Sequence, residues 1–213
     1  MDTLKPPIVV VGCGPGAPEC LTREAEEAIA AGEVIVGSRR LLDAFAPSAR
    51  EWHAVVAEVE AALDGIEAAG DQRVVVLVSG DTGLRSLARC VVARFGRHRC
   101  RLIPGISSVQ VACARLGLEW TALRVVTAHG ETPDAEPDEL ARCDAVAVLA
   151  GGVATWPWIA ALVTRLADSH RAFLCENLTL PEERVSELSA ATVAGLVPAS
   201  LSLAVLARRS LLA

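Results

Sequence analysis

Short apolar runs alternate along the chain with stretches in which apolar residues recur at a spacing of three or four. Residues 8–11, 34–36 and 74–78 consist only of Val, Ile and Leu and run into glycine or serine-glycine, which predicts short buried strands. Between the first two runs, Thr22 is placed to cap a helix that Gly32 would end. Alternation of this kind predicts a parallel sheet with helices on its faces.

The pattern is interrupted at residues 117–121 and then resumes. Before the interruption, a further strand is predicted at residues 101–103. After it, strands are predicted at residues 123–127, 145–149, 171–174 and 201–206, and helices around residues 158–167 and 191–196. We therefore predict an α/β protein of two α/β domains. Residues 1–118 would form a parallel sheet flanked by helices, and residues 119–213 a smaller mixed-sheet domain, with the ligand cleft between them.

Composition narrows the class of protein. The chain has 213 residues, of which 52% are hydrophobic and 22% charged, as in globular proteins. Aromatic residues make up only 3% and the net charge is −6, so no nucleic-acid surface is expected. The apolar runs are too short to span a bilayer and no signal peptide is visible, so we expect a cytoplasmic protein that does not enter a membrane.

The cysteines and histidines give no sign of a metal centre. There are seven cysteines and four histidines, without a CxxC pair and without the spacing of metal ligands. The odd number argues against a disulfide framework, and reduced, buried thiols are expected instead.

Three polar loops that contain glycine follow predicted strands in the first domain. They are loop 1 (GCGPG, residues 12–16), loop 2 (SGDTG, residues 79–83) and loop 3 (PGISS, residues 104–108). Ligands of parallel sheets bind beyond the carboxyl ends of the strands, where glycine lets them approach the backbone. One such loop is readily an ordinary turn, but three at equivalent places predict a cofactor crevice. Asp81 would accept hydrogen bonds from a ligand, or else only form the turn.

The sequence of loop 1 is also compatible with the binding of a nicotinamide cofactor. It matches the dinucleotide-binding pattern GxGxxA through Gly12, Gly14 and Ala17. Pro15 removes an N–H from the motif, and no acidic residue follows the second strand. Arg39 and Arg40 could nevertheless hold a 2′-phosphate, so an NADP-dependent reductase is the alternative function.

The loops resemble those of the tetrapyrrole (corrin and porphyrin) methylases. The likeness runs from residues 8–16 through loops 2 and 3, and its later blocks (residues 128–130, 176–179 and 183–185) are similar to the branch that methylates C5 of corrin precursors. It implies an S-adenosylmethionine-dependent methyltransferase of cobalamin biosynthesis, usually a homodimer, acting on precorrin-7 or cobalt-precorrin-7. Decarboxylation and methylation at C15 would then need a separate partner protein. A non-catalytic tetrapyrrole carrier is a third hypothesis.

The resemblance also implies site residues. The cofactor-binding positions would be Pro15, Ser79, Gly80, Asp81, Leu84, Ser107, Ser108, Leu149, Ala150 and Leu178. Thr82 stands where the family usually has proline. Some relatives carry an acid after the second strand, but this chain has arginines there, so no catalytic residue is assigned.

The macrocycle substrate carries many carboxylates, which arginine binds well. The predicted substrate-binding residues are Gly14, Gly16, Arg39, Arg40, Arg85 and His129. Each arginine could instead be a solvated surface charge, and His129 a structural residue. Trp156 and Trp158 are predicted to lie in the core or in a dimer contact rather than to stack on the macrocycle.

Overall fold

The computed structural model describes residues 6–46, 51–54, 59–128, 133, 135–150, 153–193 and 195–212, with backbone only for residues 51–54 and 153. The chain divides into two compact units, residues 1–107 and 108–213.

The first unit is a five-stranded, fully parallel sheet with helices between its strands. Its strands are β1 (Ile8–Gly12), β2 (Val34–Gly37), β3 (Glu51–Ala54), β4 (Val74–Val78) and β5 (Cys100–Ile103), in the order β3-β2-β4-β1-β5. Its helices are α1 (Arg23–Ala31), α2 (Arg39–Phe45), α3 (Val59–Ala68) and α4 (Ala88–Phe95), with 3-10 turns at Pro18–Cys20 and Arg97–Arg99. The predicted parallel α/β sheet is confirmed.

Both faces of this sheet are buried, which explains why its central strands are apolar at every position. One hydrophobic cluster contains Val10, Val36, Val76, Leu63 of α3 and Val91 of α4. The cluster that contains the alternate strand residues includes Val11, Ile35, Leu77, Ala25 of α1 and Leu41 of α2. Successive strand residues point to opposite faces, so α3 and α4 cover one face and α1 and α2 the other.

Local signals set the ends of the helices with mixed accuracy. Thr22 accepts a hydrogen bond from the Ala25 N–H at 3.2 Å, and Gly32 ends α1, as expected. Ser38 precedes α2, but its side chain makes no capping bond. Helix α4 begins at Ala88, and the residues between loop 2 and Ala88 form turns.

The second unit contains a mixed five-stranded sheet, as the sequence predicts. Its strands are β6 (Leu123–Ala128), β7 (Ala145–Ala150), β8 (His170–Glu176), β9 (Arg184–Leu188) and β10 (Ser202–Arg208), in the order β6-β7-β10-β8-β9. Only the β6–β7 pair is parallel. Its helices are α5 (Ser108–Leu116), α6 (Pro137–Leu140), α7 (Trp156–Leu166) and α8 (Ala190–Val193), with 3-10 turns at Val153–Thr155 and Arg209–Leu211.

Helix α7 supplies much of the core of the second unit. Trp156 is 4% exposed and packs with Ile159 and Leu162 against one face of the sheet, while Trp158 is partly buried at the edge of the same cluster. Trp156 therefore lies in the core, one of the two positions predicted for it, whereas Trp158 lies at the edge of the core. No helix in the described part of the chain is long and apolar enough to cross a membrane.

Helix α5 groups with the second unit and contacts β10. The division of the chain therefore falls at residues 107 and 108, whereas the interrupted pattern at residues 117–121 indicates residue 118. The packing of α5 on β10 is a long-range contact, which local periodicity does not reveal.

Candidate active site

The three glycine loops meet at one edge of the first sheet. Strands β4, β1 and β5 are neighbours in the sheet, so the loops that follow them leave side by side. The Gly80 N–H donates to the Gly14 carbonyl at 2.8 Å, and the Gly14 N–H donates to the Gly80 carbonyl at 3.2 Å. The Cys13 N–H also donates to the Val78 carbonyl at 2.8 Å. Loops 1 and 2 are therefore joined by an antiparallel bridge between Gly14 and Gly80, beyond the parallel pairing of β1 and β4.

Glycine is required where the loops cross because main chain lies directly on main chain. A Cβ at Gly12 would lie 2.6 Å from the Gly105 nitrogen and 2.8 Å from the Gly80 oxygen. A Cβ at Gly105 would meet the carbonyl oxygens of Gly80 and Gly12 in the same way. One glycine from each loop, Gly12, Gly80 and Gly105, thus belongs to one main-chain contact, which the sequence predicts only as separate turns.

Gly80 has a different reason to be glycine. Its φ of +67° is unfavourable for other residues, and a Cβ there would have Ser107 Cα, at 3.9 Å, as its nearest neighbour. The main chain of loop 2 is therefore open at this point, beside the buried Ser107. A ligand can approach the backbone here without displacing a side chain, which suits the predicted cofactor crevice.

Asp81 connects loop 2 to loop 3. Its Oδ1 accepts the Gly83 N–H at 2.8 Å, and its Oδ2 accepts the Gly105 N–H at 3.1 Å. The turn-forming role given as one interpretation is therefore present, and it extends to a second loop. A carboxylate has about four acceptor positions, so Asp81 can still bind a ligand, and that role stays a prediction.

Arg40 places a positive charge beside these loops. Its Nη2 donates to Ser79 Oγ at 2.8 Å, and partial burial lowers the pKa of its guanidinium. Among the described residues Arg40 has no carboxylate partner, whereas Arg39 lies 3.0 Å from Asp43 and is mostly exposed. Arg40 therefore contacts loop 2 without a carboxylate partner among the described residues.

Cys13, next to Arg40 in loop 1, is fully buried. Burial raises the pKa of its thiol to about 12, so the thiol is neutral at physiological pH. A neutral, enclosed thiol is a poor nucleophile, which leaves Cys13 a packing role.

The other residues predicted for the site lie in the three loops or directly after them. Pro15 and Leu84 are partly buried, and the Leu84 N–H donates to the Asp81 carbonyl at 3.3 Å. Gly16 is buried, and Ser108 begins α5. Arg85 is exposed and has a φ of +50°.

The predicted site residues of the second unit share one end of its sheet. Strands β7 and β8 both run antiparallel to β10, and Leu203 pairs with Leu149 on one side and Cys175 on the other. Leu149 and Ala150 therefore end β7 at the edge where β8 leads into the turn that holds Leu178. Ala150 and Leu178 are buried there, and His129 lies outside the described residues.

Two ion pairs that the sequence does not predict hold the turn after β8, although their glutamates lie in blocks that carry the family resemblance. Glu183 binds Arg115 through both carboxylate oxygens, and Glu176 binds Arg184. A carboxylate at each end of a polar turn could have indicated that these residues hold it. The partner of Glu183 was not predictable in this way, because Arg115 lies 68 positions away.

The dinucleotide alternative is not favoured. Loop 1 leads into the 3-10 turn Pro18–Cys20, and α1 begins only at Arg23. The amino end of a helix therefore does not follow loop 1 directly, as it does in dinucleotide-binding folds. Among the described residues no group of His, Cys, Asp or Glu side chains suits a metal ion.

Comparison with known proteins gives a consistent result. The family model of tetrapyrrole (corrin/porphyrin) methylases matches residues 7–194. A cobalt-precorrin-7 C(5)-methyltransferase of Salmonella typhimurium is 32% identical over 187 residues, which cover 87% of this chain and 92% of that protein.

Solved structures agree in fold. The cobalamin biosynthesis precorrin-6Y methylase (cbiE) of Archaeoglobus fulgidus has a TM-score of 0.72 and 27% identity, over 95% of this chain and 98% of that one. A uroporphyrin-III C-methyltransferase of Thermus thermophilus, solved with S-adenosylhomocysteine, has a TM-score of 0.76 at 23% identity, over 94% and 92% of the two chains. The chain belongs to the tetrapyrrole (corrin/porphyrin) methylase family.

Proposed function

We propose that the chain is an S-adenosylmethionine-dependent methyltransferase that methylates C5 of cobalt-precorrin-7, or of its metal-free counterpart precorrin-7, in cobalamin biosynthesis. The observation that carries this proposal is the likeness to the Salmonella C5-methyltransferase, which extends over 92% of that enzyme. The meeting of the three loops at the carboxyl ends of β1, β4 and β5 supports it, because this is where the fold can bind a cofactor.

The residues around Gly80 fit the cofactor. The open main chain beside Gly80 and Ser107 allows a ligand to contact backbone groups, and Asp81 retains acceptor positions for its amine or hydroxyl groups. We assign cofactor contacts in this part of the chain to Pro15, Ser79, Gly80, Asp81, Leu84, Ser107 and Ser108. Cofactor contacts at Leu149, Ala150 and Leu178, which lie at the same end of the second sheet, stay predictions.

Orientation is the main contribution that these residues make to the reaction. When bound, S-adenosylmethionine supplies an electrophilic methyl group, and an electron-rich ring carbon can accept it without a strong base. Holding two reactants in position can lower a barrier by several kcal/mol. Cys13 does not act as a nucleophile, because it is buried and its pKa is about 12.

Arg40 is the strongest candidate for binding a carboxylate of the substrate. It is partly desolvated, lacks a carboxylate partner among the described residues and is oriented by Ser79. A charge-assisted hydrogen bond to a substrate carboxylate would satisfy the guanidinium. Arg39 is neutralised by Asp43, and Arg85 is exposed, so we assign them secondary roles. Substrate contacts at Gly14, Gly16 and His129 stay predictions.

The decisive experiment identifies the product. Purified protein is incubated with cobalt-precorrin-7 or precorrin-7 and methyl-labelled S-adenosylmethionine, and NMR of the product locates the labelled carbon. We expect label at C5. Label at another ring carbon would overturn the position, and binding of macrocycle without transfer would favour the carrier hypothesis.

Cofactor binding is measured separately by calorimetry. We expect one S-adenosylhomocysteine per subunit and no change in NADPH fluorescence. Binding of NADPH instead would favour the reductase. The homodimer, the cytoplasmic location and a separate C15 enzyme stay predictions, and light scattering of the purified protein tests the first.

A further inference from the structure

The turn between β8 and β9 has an unfavourable backbone conformation. It spans residues 177–183, and its φ angles are +48° at Asn177 and +72° at Thr179. Asn tolerates this left-handed region, but a β-branched residue such as Thr is strained there. Leu178, between the two, is only 4% exposed. The backbone preferences of these residues therefore do not explain the shape of the turn, and side-chain contacts must help to hold it.

Glu183 makes those contacts. Its Oε2 accepts the Thr179 N–H at 2.6 Å, so it binds the strained residue directly. Its two oxygens also bind Arg115 at the end of α5, with Nε at 2.6 Å and Nη2 at 3.2 Å. The hydrogen bonds from Arg115 and from Thr179 lower the pKa of the Glu183 carboxyl, which keeps it charged.

The base of the same turn is fixed independently. Glu176 is 3% exposed, and its Oε2 accepts Arg184 Nε at 2.7 Å while its Oε1 accepts the Ala199 N–H at 2.8 Å. The Asn177 N–H donates to the Leu201 carbonyl at 2.8 Å.

Within the turn, the Leu180 N–H donates to the Asn177 carbonyl and the Glu183 N–H to the Leu180 carbonyl, both at 2.9 Å. The Glu183 side chain adds the bond to the strained Thr179.

We infer that Glu183 is a positioning residue, which holds the strained Thr179 and thereby fixes Leu178 for contact with the cofactor. The inference rests on the proposed function, because Leu178 is one of the predicted cofactor contacts. Leu178 follows β8 at the sheet edge where β7 ends in Leu149 and Ala150, so a shift of the turn would move one of three apolar side chains at that edge. Strain retained at such a place is characteristic of binding sites.

The chain offers a matched control for this ion pair. Glu187 binds Arg171 through both oxygens, at 2.9 and 2.8 Å, between the same two strands, β8 and β9. Within the part of the chain that the structure describes, the hydrogen bonds that Glu187 accepts come from Arg171 and none comes from the turn. Glu187→Gln therefore removes a comparable charge pair while leaving residues 177–183 in place.

The test compares Glu183→Ala, Glu183→Gln and Glu187→Gln by calorimetric titration with S-adenosylhomocysteine and by thermal unfolding. We expect Glu183→Ala to weaken binding about tenfold, Glu183→Gln to weaken it less because an amide oxygen can still accept the Thr179 N–H, and Glu187→Gln to leave it unchanged. Should Glu183→Ala fail to fold, Glu183→Gln and Arg115→Lys provide the same comparison.

A rescue experiment separates positioning from general stability. Glycine adopts a φ of +72° without strain, so adding Thr179→Gly to Glu183→Ala should restore part of the lost affinity. If the wild-type chain binds S-adenosylhomocysteine and Glu183→Ala binds it equally well, the inference is wrong and the proposed function stands. Loss of affinity without rescue by glycine also contradicts the positioning role. If the wild-type chain binds none, the proposed function itself fails and the inference fails with it.

Discussion

Asp81 Oδ2 accepts the backbone N–H of Gly105 at 3.1 Å, although the two residues lie in different loops. The other carboxylate oxygen accepts the Gly83 N–H at 2.8 Å. One side chain therefore sets the distance between the loop that follows β4 and the loop that follows β5. This arrangement makes Asp81 the most informative residue to replace.

Asp81→Ala should weaken the binding of S-adenosylhomocysteine strongly. The substitution removes both hydrogen bonds, and bonds to a charged acceptor are worth about 1.5–3 kcal/mol each. The affinity of Asp81→Asn, which keeps one carboxamide oxygen as an acceptor, should lie between those of the wild type and Asp81→Ala. Calorimetric titration measures the affinities, and unchanged affinity in Asp81→Ala would remove loop 2 from the cofactor site.

Gly105→Ala should destabilise the first unit. The new methyl group would meet the carbonyl oxygens of Gly80 and Gly12, which are main-chain atoms of neighbouring strands and cannot move aside cheaply. We expect a loss of about 1–3 kcal/mol in the free energy of unfolding, as for other overpacked sites. Gly83→Ala is the control, because its Cβ would meet only the side-chain oxygen of Asp81. Equal stability of the two variants in urea would contradict the main-chain contact.

Arg40→Met should lower kcat/KM for the tetrapyrrole substrate by about tenfold or more, because it removes a charge-assisted hydrogen bond to a carboxylate. Arg23→Met serves as the control, since Arg23 is an exposed arginine paired with Glu27 on α1. Steady-state kinetics with each variant give the comparison. Identical kinetics for Arg40→Met and wild type would show that the substrate carboxylates bind elsewhere.

The contribution of Glu183 to stability should disappear in acid. Its pKa is lowered in the folded protein, chiefly by the hydrogen bonds from Arg115, below the ordinary value of 4.5. The stabilisation is therefore complete above about pH 4.5 and is lost as the pH falls through the lower, folded-state pKa. Urea unfolding of wild type and Glu183→Gln from pH 7 downward measures it. A stability difference that stays constant into strong acid would contradict the ionised pair.

The sequence predicts the parts of the fold that are buried on two sides. Strands β1, β2 and β4 are continuous apolar runs because helices cover both faces of the sheet. Strands β3 and β9 were not predicted, since both are edge strands and neither contains an apolar run. In β9, for example, only Leu188 is buried. An apolar pattern in the sequence reflects burial, and an exposed edge strand has few buried residues to produce such a pattern.

The sequence likewise predicts only part of the candidate site. The glycine loops could be found because each marks the end of an apolar run. The contact between Arg40 and Ser79 spans 39 positions and depends on β2 lying next to β4, which periodicity does not specify. The Arg115–Glu183 pair depends in the same way on where α5 packs.

The main-chain crossing of Gly12, Gly80 and Gly105 has a consequence for assembly. These glycines lie in three segments far apart along the polypeptide, and they come together only when β4 and β5 have paired with β1. A nascent chain released before residue 105 cannot complete the crossing. The proposed ligand affinity of these loops should therefore require all three segments, and it can serve as a reporter of the pairing of β4 and β5 with β1.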